Sequence, residues 1–292
     1  MRHILTAKQF SRSEVEGICE ATERLRMMPP PRLGRYLLFN LFFEPSTRTR
    51  LSFAAAAHHL GLSVLNVEHA RLFASVVKGE SLEDTIKVLC SYAPDVIVLR
   101  YHEAGGVARA AHVSTAPITN AGDGDCEHPT QALADIYTIQ QALGSIHGLT
   151  ITIGGDLLHN RSARSLAYLL ALFQGVTIRF VGPPWSRMAP SVVDYLAHAG
   201  VLVVQTAAMD LTTSNVVYWT QTERGSIAPL GYTIGLKEVA TMRADAILMH
   251  PLPRLGEIST DVDGQPQARY FQQAGNGLLV RMALLTEILQ ED

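Results

Sequence analysis

Short apolar, β-branched runs alternate with amphipathic stretches along most of this chain, and each run has the length of a buried strand rather than of a helix. The pattern predicts strands at Tyr36–Phe43, Ser63–Val67, Asp95–Leu99 and Ala116–Asn120 in the first half. In the second half it predicts them at Thr150–Gly154, Val176–Val181, Val201–Thr206, Asn215–Tyr218 and Ala246–Met249. Helical periodicity falls between them, at Leu51–Leu60, Ser81–Ser91, Thr130–Leu143, Ser162–Phe173 and Val192–Ala199, with a last helix at Gly277–Leu289. Strand–helix alternation with strands apolar on both sides predicts an α/β fold of parallel sheets covered by helices on both faces. A glycine-bearing stretch at residues 142–148 ends one long helix just before a new strand. The chain therefore reads as two domains, residues 1–132 and 133–276, with the final helix, 277–292, packing back on the first. Ligands of open parallel sheets sit beyond the carboxyl ends of the strands, so the expected site is the cleft between the domains.

Composition narrows the class. The 292 residues are 47% hydrophobic and 17% charged with a formal net charge of −3, which gives no general attraction to nucleic acid. No apolar run approaches a membrane span and the first residues carry no secretory pattern, so a cytoplasmic protein is expected. Cys19, Cys90 and Cys126 are odd in number and widely spaced, fitting neither a disulfide framework nor a zinc site. Cys90, in an apolar helical run, is expected in the core.

The chemistry concentrates at predicted strand ends. After the first strand the chain turns at Glu44-Pro45 and presents Ser46, Thr47, Arg48, Thr49 and Arg50 at the start of an alanine-rich helix. A helix N-terminus offers free N–H groups and a positive dipole end; arginines are unfavourable there unless an anion lies between them. Ser46 or Thr47 also suits an ordinary N-cap. Arg100 closes an apolar strand, as a capping ion pair with Glu103 or as an anion ligand. His128-Pro129-Thr130-Gln131 opens the bridging helix with an imidazole and an amide three residues apart. His250-Pro251-Leu252-Pro253-Arg254 follows a strand, and its prolines remove donors, leaving the carbonyls of Pro251 and Leu252 for a ligand. Gly154-Gly155-Asp156 lacks the G-x-G-x-x-G spacing of a dinucleotide loop.

Taken together, Ser46–Arg50, His128–Gln131 and His250–Arg254 resemble the signature motifs of the transcarbamoylases, and His-Pro-Leu-Pro is similar to the aspartate branch. The resemblance runs from Leu5 to Leu289. It implies that Ser46, Thr47, Arg48 and Thr49 hold the phosphate of carbamoyl phosphate, with Arg100 reaching phosphate and carbonyl. It implies further that His128 and Thr49 polarise the carbonyl, and that Gln131 with the carbonyls of Pro251 and Leu252 receives the carbamoyl NH2. Arg161 and Leu252, with Gln221 and Arg224, are then the candidates for aspartate. Lys78 is implied to serve a neighbouring subunit's site, hence a homotrimer with shared active sites, open to regulatory or other pyrimidine-pathway subunits. No metal or cofactor is implied.

Two places depart from the family pattern. Ala74 stands where the family usually has serine, and Thr220-Gln221-Thr222-Glu223-Arg224 is two residues shorter than the usual segment, without its arginine. The expectation is carbamoyl transfer to L-aspartate in pyrimidine synthesis; the alternatives are another amino-acid acceptor or a non-catalytic homologue.

Overall fold

The computed structural model describes residues 2–68, 79–222 and 231–290. It separates into two compact units, one formed by residues 1–133 with 276–292 and the other by residues 134–275. Each is built on a wholly parallel sheet flanked by helices.

In the first unit, α1 (Arg12–Met27) precedes β1 (Leu37–Phe42), α2 (Thr47–His59), β2 (Ser63–Val67), α3 (Leu82–Cys90), β3 (Val96–Tyr101), α4 (Gly106–Val113), β4 (Ile118–Asp123) and the start of α5 (Pro129–Leu143). The sheet order is β2-β1-β3-β4. Strand order therefore reverses between β1 and β3, which puts the loops after those two strands side by side at a topological switch point. Alternate residues of β1 serve opposite faces. Phe39, Leu41 and Phe43 join Leu82, Ile86, Ile97, Leu99 and Val107 in one core. The opposite face holds Asn40, fully buried, whose amide donates to the Arg50 carbonyl at 3.0 Å and to Asn66 Oδ1 at 2.8 Å. That bond ties the first turn of α2 to the strand. Helix α2 buries Phe53, Ala56 and Ala57, and its C-cap Leu60 continues the stripe, whose small alanines permit close approach.

The second unit continues α5 and adds β5 (Thr150–Gly154), α6 (Arg161–Leu170), β6 (Thr177–Val181), α7 (Pro190–His198), β7 (Leu202–Thr206), β8 (Val216–Trp219), α8 (Leu236–Thr241) and β9 (Ile247–Met249). The order β7-β6-β5-β8-β9 reverses between β5 and β8, a second switch point. Gly155, at φ +109°, lies there; a Cβ on it would stand 2.4 Å from the Thr220 carbonyl oxygen, so only glycine lets the two loops meet. The last helix, α9 (Tyr270–Gln290), begins well before the expected Gly277. Gly275 and Gly277 sit inside it as helical residues, whose propensity cost does not stop a helix held by packing on either side. Cys90 is half-buried and packs against the edge of the first core rather than inside it, its sulfur 3.4 Å from Ser114 Oγ. No helix among the described residues is long and apolar enough to cross a membrane.

Candidate active site

The β1–α2 turn sits at the first switch point. Ser46 is the N-cap of α2 by backbone conformation, yet its side chain makes no capping hydrogen bond. The hydroxyl and the first-turn N–H groups are thus left without a side-chain cap among the described residues, as an anion-binding helix N-terminus requires. Thr47 and Arg48 are exposed, and Arg48 makes no hydrogen bond or ion pair among the described residues. Partial burial lowers its pKa. An unpaired guanidinium at the positive end of a helix is electrostatically unfavourable until an anion arrives. Arg50, by contrast, is engaged with Glu68 at 3.0 Å.

Two further residues converge on this turn. Arg100 pairs with Phe42 across the β1–β3 ladder, and its backbone carbonyl accepts from Phe43 N–H at 2.9 Å. Its Nε donates to Glu44 at 3.1 Å, so the ion-pair partner is Glu44 of the turn and not Glu103, which pairs with Arg109. Parallel pairing places residue 44 beside residue 100 although 56 positions separate them, a proximity that sequence spacing does not reveal. His128 is buried, and its Nε2 lies 3.5 Å from the Thr49 hydroxyl while Nδ1 lies 3.5 Å from Thr130 Oγ1. Helix α5 begins at Pro129, so His128 precedes the helix and Gln131 occupies its first turn; the two are joined by the Gln131 N–H to His128 carbonyl bond at 3.0 Å. Ser46, Thr47, Arg48, Thr49, Arg100, His128 and Gln131 therefore all belong to the first unit, with Thr49 and His128 in direct contact.

In the second unit the loops after β5, β8 and β9 are laced together. Asp156 N–H donates to the Gln221 carbonyl at 2.7 Å, and the Gln221 amide donates to the Pro253 carbonyl at 2.7 Å. Arg161 is the first residue of α6, which Asn160 caps through Ala163 N–H at 3.0 Å. The turn after β9 carries a cis Leu252–Pro253 bond and a left-handed Leu252 at φ +51°. Its donors are spent or absent: Leu252 N–H goes to His250 Nδ1 at 2.8 Å, and both neighbours are proline. With the Pro253 carbonyl taken by Gln221, the carbonyls of Pro251 and Leu252 accept no hydrogen bond among the described residues. Arg254 is held by Asp263, with Oδ2 2.7 Å from Nη2, and by Tyr270 at 3.2 Å. Lys78, Ala74 and Arg224 lie outside the described residues.

One feature of this turn escapes motif reading. Glu257, seven residues after His250 and 1% exposed, stands 2.7 Å from His250 Nε2. Burial pushes its pKa up, but hydrogen bonds from His250 and from Leu255 N–H outweigh that and hold it below the usual carboxylate value. Among the described glutamates Glu257 is the buried one, and burial is not written in spacing.

A cationic anion site at one switch point and a turn offering only acceptors in the other unit define a two-domain α/β enzyme of the transcarbamoylase type. The family model described as aspartate/ornithine carbamoyltransferase, carbamoyl-P binding domain, matches residues 2–141, and its Asp/Orn binding domain matches residues 147–288. The chain belongs to the aspartate/ornithine carbamoyltransferase family. It is 43% identical to the chloroplastic aspartate carbamoyltransferase of Arabidopsis thaliana, over 98% of this chain and 77% of that protein. Two crystal structures of aspartate transcarbamoylase from Trypanosoma cruzi are also similar. The complex with carbamoyl phosphate and aspartate superposes with a TM-score of 0.89 at 35% identity, covering 97% of this chain and 95% of that one. The complex with carbamoyl aspartate and phosphate gives 0.90 at 37% identity, covering 97% and 94%.

Proposed function

We propose that this chain transfers the carbamoyl group of carbamoyl phosphate to the α-amino group of L-aspartate, giving N-carbamoyl-L-aspartate and phosphate for pyrimidine synthesis. The observation that carries the reading is the β1–α2 turn: Arg48 without a counter-ion among the described residues at a helix N-terminus, with Thr49 and buried His128 3.5 Å apart beside it. The relatives bound to these substrates and products support it.

The parts have distinct work. Ser46, Thr47, Arg48 and Thr49 take the phosphate through hydroxyls, guanidinium and helix N–H groups, with Arg100 beside them. His128 and Thr49 polarise the carbamoyl carbonyl. Gln131 and the free carbonyls of Pro251 and Leu252 suit the carbamoyl NH2, which has hydrogens to donate. The neutral aspartate amine attacks the carbamoyl carbon, negative charge grows on the carbonyl oxygen opposite these donors, and the carbon–oxygen bond to phosphate breaks as phosphate leaves with the amine's proton. Acceleration comes from positioning two anionic substrates and from donors aimed at the developing oxyanion. Arg161, Leu252, Gln221 and Arg224 are assigned to aspartate.

A homotrimer with Lys78 completing a neighbour's site belongs to the same proposal. The exposed edge strand β2, with Leu65 56% and Val67 37% exposed, and Leu51 of α2 at 49%, supports a self-association surface on the first unit. A cytoplasmic location is proposed from the sequence alone.

Product analysis tests the reading. Purified chain given carbamoyl phosphate with aspartate, ornithine or other amino acids in turn is expected to yield carbamoyl aspartate and equimolar phosphate. Ornithine as the sole productive acceptor, or no carbamoylated product at all, would overturn it.

A further inference from the structure

The carbonyls assigned to the carbamoyl NH2 belong to a turn that has little intrinsic reason to hold its shape, since Leu252 adopts a left-handed backbone that leucine rarely visits. Such conformations persist where surrounding bonds over-determine them. Here the bonds form one connected chain, buried at His250, Glu257 and Gln273. Leu252 N–H donates to His250 Nδ1 at 2.8 Å, which requires a lone pair on Nδ1. The ring proton must then reside on Nε2, where it meets Glu257 Oε1 at 2.7 Å. Glu257 Oε2 accepts Leu255 N–H at 2.8 Å, clamping the far side of the turn. From the strand side, His250 N–H donates to Gln273 Oε1 at 2.9 Å, and the Gln273 amide donates to the fully buried Asp135 at 2.7 Å.

We infer that Glu257 is a positioning residue for carbamoyl transfer: by fixing His250 as its Nε2–H tautomer it directs Nδ1 at Leu252 N–H and so sets the Pro251 and Leu252 carbonyls in place. The inference rests on the reading of those carbonyls given under the proposed function. Glu257 does not touch the substrate. Loss of its carboxylate releases the tautomer; the Nδ1–H form then confronts Leu252 N–H donor to donor, and the turn opens.

Glu257→Gln keeps an oxygen to accept from His250 Nε2–H but presents an NH2 to Leu255 N–H, whereas Glu257→Ala removes both. The full chain is examined for transfer kinetics and, with 15N-labelled histidine, for the His250 ring tautomer, His250 being assigned from a His250→Asn sample. The expected result is a single Nε2–H tautomer in the wild type and in Glu257→Gln. Glu257→Ala is expected to show mixed tautomers and to lose about 10-fold or more in kcat/KM for carbamoyl phosphate, which Glu257→Gln largely restores. A purely architectural glutamate would cost stability in both variants with no recovery by glutamine. Wild-type His250 in the Nδ1–H form, or an active, folded Glu257→Ala with unchanged kcat/KM, would overturn the inference. A wild-type chain without transfer activity would overturn the reading of the site instead, leaving the tautomer spectra to judge the hydrogen-bond chain by itself.

Discussion

The β1–α2 turn of the first unit and the His250–Arg254 turn of the second sit at comparable places, each just beyond the end of a parallel strand, and they are electrostatic opposites. The first is unfinished: Ser46 caps nothing, and Arg48 has no counter-ion among the described residues. The second is closed on itself, with His250 against Glu257, Arg254 against Asp263 and the Pro253 carbonyl against Gln221. An unfinished site draws a ligand by charge. A finished one recognises by shape, presenting the two carbonyls it has left over. In carbamoyl transfer the first suits a phosphate and the second an uncharged NH2.

The largest expected effect tests the chemistry beside the unfinished turn. His128→Ala removes the donor assigned in the proposed mechanism to the developing oxyanion and is expected to lower kcat about 10²- to 10³-fold with a smaller change in KM for carbamoyl phosphate. A rise in KM with kcat intact would assign His128 to binding alone. Steady-state kinetics decide between them.

A smaller effect is expected in the finished turn, and of a different kind. Arg254→Ala breaks a partly exposed ion pair and is expected to reduce folding stability by about 1 kcal/mol, measured by urea unfolding. The hydrogen bond from Arg254, assisted by Tyr270 and opposed by burial, holds the Asp263 pKa below its ordinary 3.8. A depressed carboxylate contributes stability above its unfolded pKa and loses it as pH falls through the folded one. The gap between wild type and Arg254→Ala is therefore full at pH 7 and narrows only below about pH 3.8. A gap that closes near neutrality would mean that another group is responsible.

These contrasts mark what the sequence could convey. The nine strands among the described residues were legible because the central ones, such as β1, β3 and β5, are written as apolar runs bounded by polar loops, and the exposed edges β2 and β7 still carry β-branched residues. Helices α4 and α8 were not, since Gly106–Val113 and Leu236–Thr241 are short and each has a glycine, Gly105 or Gly235, at its N-cap. The cationic turn was legible because arginines at a helix start contradict the dipole, a conflict visible in one dimension. The Arg100–Glu44 pair and the Glu257–His250 chain depend on strand adjacency and burial, which only the fold supplies. Lys78 and Arg224 stand on the resemblance to the family alone.

The central claim is that Arg48 waits for the phosphate. Isothermal titration of inorganic phosphate, a product of the proposed reaction, into ligand-free wild type and Arg48→Ala addresses it without requiring catalysis. The account predicts binding about 10- to 150-fold weaker in the variant, while the ligand-free variant is as stable as wild type or about 0.3–1 kcal/mol more so, because a cation has left the positive end of a helix. Equal phosphate affinity in the two proteins would contradict it.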